Sequence, residues 1–179
     1  MSIVENIQPA LTNEIGIRLG NSDAPVVVKE YVNLRCPFCL KWFEDSKETY
    51  AQLIAEGKVQ RIIKLFNKEK FGLHYANAMH DFVPKNGTYE ETIEVLDAIY
   101  HSQQEWGPMD REVSLGEVCD YAENRLGLVK DADEAMQAAI LEETTAAGIR
   151  FIPTMIIGEH VFDQKISQEE FVELINKAL

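Results

Sequence analysis

The sequence predicts an α/β protein: a strand, helix, strand unit and a later strand, strand, helix unit, with a block of helices set between them. Three observations carry this. Residues 24–66 run from a β-branched stretch through a stretch at helical spacing to a second β-branched stretch. Residues 68–147 keep helical spacing almost throughout. After Gly148 the chain returns to two short strand signals and a last amphipathic helix.

Taken in order, "EIGIRLG" (14–20) alternates Ile15, Ile17 and Leu19 and closes on Gly20, which reads as a short strand. "APVVVKEYVNL" (24–34) is β-branched and aromatic behind Pro25 and reads as a second strand. From Pro37 the period changes, with Leu40, Phe43, Tyr50, Leu53 and Ile54 on a helical stripe and Gly57 placed to stop it. "KVQRIIKLF" (58–66) then resumes as a strand, completing the unit that makes a parallel pair with a right-handed crossover. Helices are expected in "HYANAMHDFV" (74–83), "TYEETIEVLDAIYHSQQEW" (88–106), "LGEVCDYAENRLGL" (115–128) and "DADEAMQAAILEETTAAG" (131–148), separated by Pro84, Gly87, Pro108 and Gly127. "TMII", the Gly158-Glu159 turn and "HVF" form a hairpin signal. "SQEEFVELINKAL" closes as a helix with Ser167 as N-cap and Glu170 as its capping-box partner. The expected organisation is an N-terminal extension (1–12), a frame made of 13–67 and 148–179, and a helical insertion (68–147).

Composition narrows the function classes. The 179 residues suffice for a core without disulfide staples. Seventeen Lys and Arg against 30 Asp and Glu give a net charge of −13, which argues against nucleic acid or an anionic membrane surface as partner. Glu5 and Glu14 stand where a secretory leader would be basic and then apolar. No apolar run approaches the ~18 residues of a membrane span. The expectation is a cytoplasmic protein if Met1 is the true start, and an extracytoplasmic one if a leader has been removed.

"RCPFC" (35–39) holds the chemistry. Cys36 follows a strand and stands at the first turn of a helix, where unpaired backbone N–H groups and the positive end of the helix dipole favour an anion. A free thiol titrates near ~8.5, and this placement lowers that value, so Cys36 is the candidate nucleophile. Pro37 suits the first helical position because its missing N–H has no partner there. Cys39, one turn deeper on the same face, can close a disulfide with Cys36 or resolve a mixed one. A zinc site would need two more ligands, and there is neither a second CxxC nor an HxxxH pair, so no metal is expected. Cys119, within Val113, Leu115 and Val118, reads as a small core residue. Glu30 shares a strand face with Val26, Val28 and Val32. It is either buried beneath the helix start, with its pKa raised and able to shuttle the Cys39 proton, or half exposed and paired with a lysine.

With "CPFC" opening a helix after a strand, an acid six residues earlier, a helical insertion and "GIRFIPTMIIG" leading into the last hairpin, residues 13–179 resemble the DsbA-like thiol–disulfide oxidoreductases of the thioredoxin superfamily. The resemblance implies a thioredoxin fold, a central mixed sheet flanked by helices with an all-helical inserted subdomain. It implies that Cys36 attacks, Cys39 resolves, Glu30 is the buried acid, and Ile152-Pro153 is a cis-proline loop presenting its backbone to an extended substrate. Pro37 and Phe38 would border that substrate, and "AIYHSQQEWG", with Tyr100, Gln104 and Trp106, would form part of a cap over the site, the alternative being that its aromatics at helical spacing belong to the core. It further implies protein or peptide thiols and disulfides as substrates, a separate redox partner for recycling, and no cofactor beyond the cysteine pair. Glutathione-dependent isomerases or transferases of a related group, and non-catalytic chaperones or adaptors on the same fold, are the competing readings. The dipeptide departs from the family: Pro-Phe replaces the Pro-His of strongly oxidising members, so no imidazole steadies the Cys36 thiolate. Arg35 and Lys41 are candidates to compensate, the alternative for each being a solvated charge. Lys29 is unusual for a central strand and is expected to snorkel from the face opposite Glu30.

Overall fold

The computed structural model describes residues 6–179; residues 1–5 of the N-terminal extension lie outside the described residues. Strands β1 (Ile17–Leu19), β2 (Val26–Val32), β3 (Val59–Leu65), β4 (Thr154–Ile157) and β5 (His160–Phe162) form one sheet in the order β1-β3-β2-β4-β5. β2 and β3 are parallel, joined through α1 (Pro37–Ala55), and the remaining pairs are antiparallel. A short parallel pair at the centre of a sheet must be covered on both faces. On one face Val26, Val28, Val59 and Met155 pack with Trp42, Tyr50 and Leu53 of α1 and with Phe171 and Ile175 of α7 (Gln168–Ala178). On the other, Tyr31 and Ile156 pack with Ala147 and Ile149 at the end of α6 (Glu134–Ala147).

Helix ends follow local chemistry. Ser167 accepts from Glu170 N–H at 3.1 Å, as its spacing requires. Thr88, Ser114 and Asp133 cap α3 (Tyr89–His101), α5 (Leu115–Asp120) and α6 in the same way. Gly57 takes φ 72° just after α1, and Gly148 takes φ 77° at the end of α6, a backbone region that strains any L side chain.

The insertion is more broken than its periodicity suggests. Residues 74–83 are not one helix but a 3-10 turn (Leu73–Tyr75), the four-residue α2 (Ala76–Met79) and a second 3-10 turn (His80–Phe82). The expected helix over 88–106 splits at Ser102 into α3 and α4 (Gln103–Trp106). There Ser102 Oγ bonds back to the Ala98 carbonyl at 2.8 Å, and the Trp106 indole N–H takes the Ile99 carbonyl at 3.0 Å, so side chains compete with the helical ladder. α5 continues as a π-helical turn (Tyr121–Arg125). A single apolar cluster runs from Ile17, Val32, Phe43 and Ile63 of the frame to Met79, Phe82, Leu96 and Val118 of the insertion. Frame and insertion thus share one core, and the first turn of α1 lies at their junction.

Candidate active site

The loop between β2 and α1 is held from several sides. Asn33 donates its side-chain amide to the carbonyls of Phe66 and Leu73, both at 3.1 Å, and its Oδ1 accepts from Arg35 N–H at 3.0 Å. His80, fully buried in the insertion, accepts the Leu34 N–H on Nε2 at 3.2 Å. Its Nδ1 must then carry the proton, which it donates to Asn67 Oδ1 at 2.7 Å. Gln103 donates to the Leu34 carbonyl at 2.9 Å. These bonds leave the chain at Cys36 in an extended conformation (φ −72°, ψ 125°), which makes it the N-cap of α1, with Pro37 at the first helical position.

The two thiols differ in environment. Cys36 is pushed down to about 7, first by a hydrogen bond from the Cys39 thiol; the backbone N–H groups of Cys39 and Phe38 and the charge of Arg35 act in the same direction, against desolvation. Cys39 is fully buried, and burial pushes its thiol well up, with the hydrogen bond to Cys36 and the Cys36 charge adding to the rise. The only opposing contribution among its main neighbours comes from Asn33 N–H, which donates to Cys39 Sγ at 3.5 Å. No disulfide joins the two in this structure. Across the gap, the Ile152–Pro153 peptide bond is cis, and the Cys36 thiol faces the Ile152 carbonyl at 3.9 Å. Thr154 Oγ1 bonds the Phe151 carbonyl at 2.6 Å and secures that loop.

Glu30 is buried on the α1 side of the sheet, but its partner is not a lysine. Its carboxylate accepts from Trp42 Nε1 at 2.8 Å and from the Tyr50 hydroxyl, and pairs with Arg61 at 3.0 Å. Arg61 comes from β3, stacked 4.0 Å from the Tyr50 ring centroid. No hydrogen bond joins Glu30 to Cys39; the carboxylate acts on Cys39 through its charge, as the last of the main contributions raising that thiol. Lys29 reaches Thr12 Oγ1 at 2.9 Å from the opposite face.

Beside Cys36 lies an open groove of about 550 Å³, lined in part by Pro37, Phe38, Phe71, Met109, Phe151 and Ile152. Pro37, Phe38 and Ile152 thus line the groove, while Pro153 is buried. The stretch expected at the cap divides between the two readings. Gln104 lines the groove, but Tyr100 is packed against Phe43 with ring centroids 5.0 Å apart, and Trp106 is sealed in the core. Lys41 follows the second of its two readings, exposed and paired with Asp45 one turn along α1, and of the two cations it is Arg35 that acts on Cys36. Arg35 is buried and donates Nε to the Gly107 carbonyl. Cys119 is half-buried against the shared core. Sequence reasoning missed Lys68, whose charge is felt by both cysteines and which donates to the Arg150 carbonyl. It missed His80 and Arg61 as well; a histidine in a helical stretch and an arginine inside a strand gave no local sign of their partners. Among the described residues no group of His, Cys, Asp and Glu is arranged to hold a metal ion.

A mixed sheet whose central parallel strand delivers a CxxC to a helix N-terminus, opposite a proline loop and beneath inserted helices, defines a thioredoxin-fold protein with a helical insertion. Residues 12–177 match the family model for thioredoxin, and the chain belongs to that family. It is similar over 98% of both chains to a conserved protein of unknown function from Enterococcus faecalis V583, at 42% identity and TM-score 0.91. Wolbachia pipientis alpha-DsbA1 shares the fold at 20% identity and TM-score 0.67, over 93% of this chain and 92% of that one. Oxidised BdbD from Bacillus subtilis does so at 14% identity and TM-score 0.60, over 97% and 95%. A comparison with curated proteins finds no significant match. No helix among the described residues is long and apolar enough to cross a membrane.

Proposed function

We propose that the protein is a thiol–disulfide oxidoreductase that exchanges disulfides with protein substrates through Cys36 and Cys39. The observation that carries this reading is the asymmetry of the pair: Cys36 at the helix mouth is held near neutral pKa, and Cys39 behind it is kept protonated and hydrogen-bonded to it. A nucleophile and a resolving thiol are thereby distinguished by environment alone.

In the reducing direction the Cys36 thiolate attacks one sulfur of a substrate disulfide and expels the other as a thiolate, leaving a Cys36–substrate mixed disulfide. Bond formation removes the negative charge from Cys36, and with it two of the causes that hold Cys39 protonated. Cys39 then loses its proton and attacks Cys36 Sγ, releasing the second substrate thiolate. Two electrons have passed from the protein to the substrate, and the Cys36–Cys39 disulfide remains. The reverse sequence oxidises a substrate dithiol. A separate dithiol or disulfide protein restores the starting state, and the sulfur pair is the only redox group required. The Glu30 charge helps to keep Cys39 protonated until the mixed disulfide forms, and Ile152 offers its carbonyl to an extended substrate strand, as in pairing at a sheet edge.

The test is Cys39→Ser incubated with a disulfide-bonded protein such as insulin. A covalent adduct through Cys36 on a non-reducing gel is expected, alongside dithiol-driven insulin reduction by the unmodified protein. Absence of both would exclude the assignment.

A further inference from the structure

We infer that the groove beside Cys36 selects extended polypeptide segments that carry acidic side chains next to the reacting cysteine; this rests on the thiol–disulfide reading above. The chain has a net charge of −13, so a groove placed anywhere on it is expected to be bordered by carboxylates. This one is bordered by Arg35, Lys68, Lys70 and Arg150 and, among the described residues, by no Asp or Glu. Asp110, next to the groove residue Met109, is paired with Arg111 at 3.5 Å, and Glu69 stays out of the wall.

The four cations divide by what they touch. Arg35 and Lys68 are tied to the Gly107 and Arg150 carbonyls and lie close enough to Cys36 to share its charge. Lys70 and Arg150 are exposed, and among the described residues neither side chain has an ion-pair partner. One stands on the segment after β3, the other on the segment leading to Ile152. Around them Phe38, Phe71, Met109 and Phe151 leave between 45% and 57% of their surface open to solvent. Exposed apolar side chains gathered at one groove mark a binding surface. A chain laid along Ile152 with its cysteine over Cys36 can seat apolar side chains on this floor and turn flanking carboxylates to Lys70 and Arg150. A small anionic disulfide would meet the cations and leave the apolar floor uncovered. Charge complementarity of this kind sets partner choice and encounter rate more than raw affinity.

The experiment uses the full chain in its reduced form, with disulfide peptides of one apolar sequence flanked by Glu, Gln or Lys, and with oxidised glutathione. The Glu-flanked peptide should exceed the Lys-flanked one in kcat/KM by about tenfold at low salt, with the ratio shrinking as salt screens the pairs. In the Lys70→Gln/Arg150→Gln variant the same ratio should fall toward one. Reduction of the Gln-flanked peptide checks the underlying activity by itself. If that peptide is reduced while Glu- and Lys-flanked peptides react alike, the charge selection is wrong and the oxidoreductase reading stands. If no peptide is reduced, the underlying reading falls and takes this inference with it. Glutathione outpacing the Glu-flanked peptide would overturn the assignment to a polypeptide.

Discussion

The Glu30 carboxylate and the Arg61 guanidinium meet at 3.0 Å with both side chains almost sealed from solvent, and two further donors, Trp42 and Tyr50, close around the carboxylate. A buried charge with its partner removed costs far more than the pair gives. Glu30→Leu should therefore lower stability by about 3–5 kcal/mol by leaving Arg61 uncompensated. Glu30→Leu/Arg61→Met should recover much of that loss. Urea denaturation of the wild type and these variants reads it directly, and equal losses in single and double variants would mean that the pair is not coupled as described.

Reactivity should track the Cys36 thiolate. Because its pKa is pushed down to about 7, alkylation by a small haloacetamide should rise with pH through about 7 and level off while an ordinary thiol, at ~8.5, is still mostly protonated. Cys39, held up by burial, should stay unlabelled over that range. A rate that keeps climbing past pH 8 in the wild type would contradict the environment assigned to Cys36.

His80 links the insertion to the loop before Cys36, and burial holds it down to about 3. The unfolded chain takes up its proton near ~6.5. Between these values the unfolded state binds more protons, so this contribution is present above about 6.5 and is lost as pH falls toward 3. Wild-type urea midpoints should drop more steeply with acidification over that window than those of His80→Leu. Parallel pH curves would remove His80 from the account.

The Phe38 side chain is exposed beside Cys36 and offers its thiolate no hydrogen bond; from this residue only the backbone N–H does so. Phe38→His should lower the Cys36 pKa further and make the couple more oxidising, by about 30 mV for each pKa unit. Equilibration with glutathione measures this, and an unchanged constant would show that the dipeptide does not set the potential in this protein.

Periodicity and capping carried much of the architecture. The β-branched runs became β2 and β3, the stripe from Leu40 to Ile54 became α1, and Ser167 caps α7 as its spacing required. Thr88, Ser114 and Asp133 carry the same kind of local signal and cap their helices too. The breaks at Ser102 and Tyr121 were not legible, because they depend on side chains competing for carbonyls within an otherwise helical pattern.

By itself the sequence determined the spacing of the two sulfurs of the candidate site, their order along the first turn of a helix, and the strands and helices that frame them, since each depends on neighbours within a few positions. Only the tertiary structure decided that Glu30 answers to Arg61, that Lys41 turns away while Lys68 comes near, that His80 grips Leu34, and that the groove is ringed by cations in an acidic protein. Those outcomes bring together residues from separate elements, and local preference carries no information about which charges meet once the sheet and insertion have packed.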